Sequence, residues 1–160
     1  MCEQREKFIS EKLRLMEELC KKHKLSLTVQ RRAILENLAS RTDHPTADQI
    51  YASIQHRISG ISRTTVYRVL ETFVHLGLAQ KISNPEAKAR FDADTRRHHH
   101  AFCTTCEEVM DVFSDTLSTL DVPDVGHDFV MRDYSVNFTG LCGKCLSEAA
   151  PVRITEKGVT

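Results

Sequence analysis

The sequence predicts an α+β protein in two units: a helical N-terminal half that closes on a β-hairpin, then a smaller α/β unit organised around a four-cysteine metal site. Three observations carry this expectation. Apolar residues recur at helical spacing through the first half, and several of these runs open on a capping residue. After Gly77 the pattern turns to short strand-like segments separated by polar turns. Finally, four of the six cysteines fall in two CxxC pairs, Cys103/Cys106 and Cys142/Cys145.

Composition sets the frame. With 41% hydrophobic and 28% charged residues over 160 positions, the chain is ordinary globular material for one large or two small domains. No apolar run approaches the roughly 20 residues of a membrane span. The opening MCEQREKFISEK is too charged for a secretory signal. A cytoplasmic protein without a membrane partner is expected. The net charge of zero hides an asymmetry: residues 1–88 carry 15 Lys+Arg against 10 Asp+Glu, and residues 89–160 carry 7 against 12. A basic half suits a polyanion and an acidic half suits cations.

Phe8, Ile9, Leu13, Met16, Leu19 and Cys20 place a first amphipathic helix over residues 4–23, with Cys20 as a small core residue. Thr28 can cap a second helix carrying Ala33, Ile34 and Leu38. In HPTADQIYASI, Thr46 and Gln49 fit a capping box ahead of Ile50, Tyr51 and Ile54. SRTTVYRVLETFVHLG reads as a fourth helix, capped by Ser62 and stopped by Gly77. Its apolar face is Val66, Val69, Leu70, Phe73 and Leu76; the other presents Arg63, Thr64, Thr65, Tyr67 and Arg68. LAQKIS and KARFDA, around the turn NPEA, form a hairpin. Helices followed by such a hairpin make a winged helix-turn-helix.

The expected organisation is therefore a winged-helix unit over 1–91, a hinge over 92–97, a metal-binding unit over 98–147, and a loose tail over 148–160. In the second unit HHHAFC and VMDVF read as strands, SDTLSTL as a helix capped by Ser114, and FVMRDYSVNFTGLC as one long strand.

Cys103, Cys106, Cys142 and Cys145 supply four thiolates in two chelating loops. An all-sulfur tetrahedral set in a cytosolic chain suits a structural zinc ion, which would tie together the ends of the α/β unit. Unligated core cysteines or a redox dithiol are the competing readings. His98, His99 and His100 lie in a strand, so His98 and His100 face one way and His99 the other. Asp111 on the neighbouring strand and Asp92 at the end of the hairpin could reach the same point. Residues alone leave a metal site and a solvated polar edge equally open.

HPTADQIY, SRTTVYRVLETFVHLGL, RFD, HHHAFCTTC, VMDV and GLCGKC, in this order and spacing, resemble the ferric uptake regulator (Fur) family over about residues 25–146. The resemblance implies a homodimeric, metal-responsive repressor of double-stranded operator DNA, with a C-terminal dimerisation domain. By position, the family's regulatory metal site falls on His44, Asp92, His98, His100 and Asp111. Asp at both carboxylate positions looks like the peroxide-sensing (PerR) branch, where the iron-sensing branch typically has Glu. A second histidine–carboxylate site found in some members looks incomplete, because Tyr134 occupies the place of its late histidine. His127 is expected at the surface.

Three imidazoles and two carboxylates form a shell suited to Fe(II) or Mn(II). An ion held by all five would pin the two halves in one arrangement. Arg63 and Arg68 would contact phosphates, and Thr64, Thr65 and Tyr67 sugar or base edges; core packing is the alternative for Tyr67. In the peroxide-sensing reading, oxidation of the ligands His44 or His98 releases the clamp. A plain iron, manganese or zinc sensor would use the same clamp without self-oxidation. Cys2 and Cys20 offer a rival thiol switch, though no neighbouring motif favours a thiolate there. A zinc deaminase would need His-x-Glu and Pro-Cys-x-x-Cys, and neither Cys pair follows a proline. No enzymatic activity is expected. A purely structural zinc module would leave the winged-helix pattern unexplained.

Overall fold

The structure, a computed structural model, describes residues 2–83, 88–119, 121, 129–131 and 134–148. The turn NPEA, His127 and the expected tail beyond Glu148 lie outside the described residues. The chain divides into two compact units, Met1–Arg96 and Arg97–Thr160.

The first unit holds four helices: α1 (Cys2–Lys22), α2 (Val29–Ala39), α3 (Ala47–Ile54) and α4 (Arg63–His75). A two-stranded antiparallel sheet follows, β1 (Gln80–Ile82) with β2 (Arg90–Asp92), in the register Gln80↔Asp92. Helix starts are chemically specified. Thr28 accepts from Arg31 N–H, Thr46 and Gln49 form the full capping box, and Ser62 accepts from Thr65 N–H. α4 ends where Gly77 takes φ +70°, a left-handed turn that glycine adopts without a side-chain clash.

One core joins these elements. Met16, Ile34, Leu35, Leu38, Ile50, Val66, Leu70, Phe73 and Phe91 are buried in it. Removing each large side chain from water contributes about 1.5–3 kcal/mol. Lys12 interrupts the apolar stripe of α1 yet is itself buried. Asp92, expected at the start of a hinge, is the last residue of β2.

The second unit contains β3 (His99–Cys103), β4 (Val109–Val112), α5 (Asp115–Ser118), β5 (Asn137–Gly140) and α6 (Gly143–Glu148). Its sheet has the order β4-β3-β5, with β4 antiparallel and β5 parallel to β3. Among the described residues of the expected long strand 129–142, only Asn137–Gly140 is strand. The backbone N–H of Val136 donates to His99 Nδ1 at 3.3 Å, a side-chain acceptor in place of a ladder carbonyl, and regular pairing begins at the next residue. α6 carries Cys145 and was not anticipated from sequence.

Candidate metal centres and the exposed face of α4

The thiolate cluster stands on two knuckles. β3 delivers Cys103, and the turn beyond it folds back through Cys103 N–H to the Glu108 carbonyl at 2.9 Å and Glu107 N–H to the Cys103 carbonyl at 3.0 Å. Glu107 takes φ +58° to allow it. The second pair brackets the start of α6, where Leu146 N–H donates to the Cys142 carbonyl at 2.8 Å. The four Sγ atoms lie within 4.8 Å of one another, and Cys106 and Cys142 are 3.7 Å apart. That is far beyond a disulfide bond of about 2.05 Å. It matches the edge of about 3.8 Å that a tetrahedron with zinc–sulfur bonds of about 2.3 Å requires. The Cys142 N–H donates to Cys103 Sγ at 3.3 Å, and this hydrogen bond leads the causes that hold the Cys103 thiol down at about 6. Hydrogen bonding by Cys106 raises Cys145, and Cys142 is raised as well, so without a cation these two thiols resist ionisation more than Cys103 does.

In the first unit, His44 and Asp92 approach within 3.7 Å through Nε2 and Oδ2. His44 is buried and sits at φ +48°, a left-handed conformation that non-glycine residues seldom adopt. The wing holds it there. Phe91 N–H donates to the Pro45 carbonyl at 3.0 Å, Thr46 bridges Arg90, and the Arg90 guanidinium donates to the His44 carbonyl at 3.1 Å. Strain of this kind, maintained by surrounding contacts, is concentrated at functional sites.

In the second unit, the antiparallel register sets His100 opposite Asp111. Directly paired residues share a sheet face. His98 Nε2 is 3.3 Å and His100 Nε2 3.9 Å from the same Asp111 Oδ1. The two imidazoles pack edge to face with centroids 4.6 Å apart. Metal–nitrogen and metal–oxygen bonds of about 2.0–2.2 Å imply ligand–ligand edges of about 3–3.4 Å. The trio is near that spacing, so its donors suit a small divalent cation.

His99 has a different role from its neighbours. It is fully buried, accepts the Val136 N–H, and its ring lies parallel to Tyr134. The Tyr134 hydroxyl donates to the Leu117 carbonyl at 2.8 Å, and Arg97 stands over its ring at 4.3 Å. A brace of three side chains thus occupies this part of the unit. Spacing alone hid it, since nothing sequential links 97, 99 and 134.

On α4, Arg63, Thr64, Tyr67 and Arg68 are exposed, and Tyr67 is 44% accessible, so it is no core residue. Thr65 is half-buried and its hydroxyl is engaged with Ser62 at 2.9 Å. Arg63 is 3.6 Å from Asp48 and lies over the Tyr51 ring.

The first unit is a winged helix whose fourth helix offers a polar, basic face; the second is an α/β unit with a thiolate cluster and a histidine–carboxylate trio. Together they define a metal-binding winged-helix protein. The sequence profile of the ferric uptake regulator family matches residues 22–139, and the chain belongs to that family. It is accordingly a metal-responsive regulator. Its relatives include the peroxide-responsive repressor PerR of Staphylococcus epidermidis, 30% identical over 76% of this chain and 82% of that one. PerR of Staphylococcus aureus (strain USA300) is 31% identical over 74% and 81%. Among solved structures, the Helicobacter pylori ferric uptake regulator, described with three functional metal-binding sites, superposes with TM-score 0.69 at 16% identity, over 86% of this chain and 93% of that one. The Vibrio cholerae ferric uptake regulator gives 0.58 at 26% identity, over 78% and 98%. No helix among the described residues is long and apolar enough to cross a membrane.

Proposed function

We propose that this protein is a metal-dependent, DNA-binding transcriptional repressor that senses hydrogen peroxide. The observation that carries the reading is the donor set: His44 with Asp92 in one unit, and His98 and His100 converging on Asp111 in the other. Aspartate stands at both carboxylate positions. Relatives named as peroxide-responsive repressors support the signal.

In this reading the five side chains ligate one Fe(II) or Mn(II), and Cys103, Cys106, Cys142 and Cys145 hold a structural zinc. Because the donors come from both units, ligation favours whichever arrangement assembles them all. Bound Fe(II) would supply the one-electron reduction of hydrogen peroxide. His44 and His98 are the oxidation targets, and an imidazole that has gained an oxygen atom is a poorer donor, so the arrangement is lost. As a homodimer, the protein presents two copies of α4 to successive major grooves of a double-stranded operator, about 34–36 Å apart. Arg63 and Arg68 neutralise phosphates, while Thr64, Thr65 and Tyr67 meet sugar or base edges.

Peptide mass spectrometry after a brief, low peroxide dose tests this. Anaerobic Fe(II)-loaded protein should gain one oxygen at His44 or His98 and lose DNA binding, while Mn(II)-loaded protein stays unmodified. Unmodified histidines in the iron-loaded sample, with DNA binding intact, would move the assignment to a plain metal sensor.

A further inference from the structure

A cavity of about 600 Å³ in the first unit lies between α1 and the turn that follows β2, lined among others by Arg5, Phe8, Lys12, Asp94 and Arg96. Its cations belong to no metal centre and do not lie on α4. Lys12 is only 7% exposed, and burial pushes its ammonium below the usual lysine range. It donates to the Leu78 carbonyl at 3.2 Å and to Thr95 Oγ1 at 3.1 Å, which uses two of its three N–H groups. Arg5 donates through Nη2 to the Arg41 carbonyl, but its Nε is shielded from solvent and meets no acceptor among the described residues. A buried donor left in that state calls for a partner, protein or otherwise.

Both cations lean on one aromatic ring. The Arg5 guanidinium is 5.3 Å and the Lys12 ammonium 5.7 Å from the Phe8 centroid. The carboxylates of Asp94 and Asp92 act favourably on the Lys12 ammonium from the turn, and Asp94 is also clasped by Arg96, itself a cation of the wall. Glu11, the other acid of the wall, is exposed to solvent. The turn itself is pre-built: Asp94 N–H donates to Asp92 Oδ1 at 2.8 Å, and Gln80 Nε2 donates to the Asp94 and Arg96 carbonyls at 2.6 and 3.3 Å. The volume falls in the range of small-molecule sites, about 300–1,000 Å³.

We propose that this cavity binds a small anion through a carboxylate or phosphate group, with Arg5 Nε and the Lys12 ammonium as its donors. A negative group placed there gives Arg5 Nε its missing acceptor and takes the remaining N–H of Lys12. The site stands apart from the peroxide reading and survives its failure.

Isothermal titration of the zinc-loaded full chain with inorganic phosphate, and separately with citrate, at constant ionic strength tests the assignment. At least one anion should saturate a single site per chain. Arg5→Gln should weaken it about tenfold or more, a change of about 1.4 kcal/mol. Arg14→Gln, on the same helix but exposed and paired with Glu18, should bind as wild type. Phosphate binding alone identifies a phosphate group, and citrate binding alone a carboxylate. Lys12→Met should also lose the site; should that variant fail to fold by circular dichroism, Arg5→Gln decides. Absence of saturation with both anions, or wild-type binding by Arg5→Gln, overturns the proposal.

Discussion

At the scale of single residues, His44 shows most clearly how backbone and chemistry oppose each other. Its φ of +48° costs an L-residue about 1–2 kcal/mol, which glycine would not incur. His44→Gly should therefore leave the metal-free first unit about 1 kcal/mol more stable than His44→Ala, read as a difference in urea midpoint. Both variants should lose Mn(II)-dependent DNA binding while keeping their zinc. Lys12 makes a second residue-scale prediction. Its folded pKa is lowered by burial, so between that value and the unfolded value of 10.5 the native state binds fewer protons than the unfolded chain. Stability from this group therefore rises as pH climbs toward 10.5 and is least where Lys12 is charged in both states. The pH slope of unfolding free energy on the alkaline side should be smaller in Lys12→Met than in wild type. Lys12 had a visible sign in the sequence: it stands four residues after Phe8 and four before Met16, in the middle of the apolar stripe. A charge in that position is either exposed by a break in the helix or buried with partners, and the second applies.

The helices of the first unit were legible because each shows a 3.6-residue apolar period, and α2, α3 and α4 add a side-chain cap at the start. Ser62 accepts from Thr65 N–H at 3.1 Å at the head of α4. Ser62→Ala should cost about 1 kcal/mol by thermal melting, with Thr65 left to find another partner. In the second unit, β3 and β4 were legible, and alternation along the chain separated His98 and His100 from His99, but the register that sets His100 opposite Asp111 was not readable. β5 was overextended because the sequence cannot show that a histidine side chain captures the N–H of Val136. α6, six residues long, is too short to display a period. The wing was recognisable from its strands, but the placement of Asp92 inside β2, and with it the approach to His44, depends on the Gln80↔Asp92 register. That pairing is tertiary information.

Over the whole molecule, the two units differ in what holds them together. The first has a continuous hydrophobic core from Leu13 to Ala93. Among the described residues, the second buries Phe102 and Val109 together with a cluster of three cysteines, Cys103, Cys142 and Cys145. Metal binding then becomes folding free energy, apparent values for structural zinc in small peptides being about 10–16 kcal/mol. Stripping zinc with a strong chelator, or Cys142→Ser, should unprotect the amides of β3–β5 in hydrogen exchange while α2–α4 keep theirs. Equal loss in both units would refute this division. The basic first half and acidic second half seen in the sequence fit the same partition, polyanion on one side and cations on the other, although charge counts alone could not say which side chains converge.

The most direct test of the account is a Mn(II) titration of the zinc-loaded protein, followed by the electron paramagnetic resonance signal of free Mn(II). One site per chain beyond the zinc is predicted, weakened about tenfold or more by His44→Ala and by His98→Ala alike, since each removes a donor. A Mn(II) site that responds to His98→Ala but is indifferent to His44→Ala would confine the metal to the second unit and contradict the shared ligation on which the repressor mechanism rests.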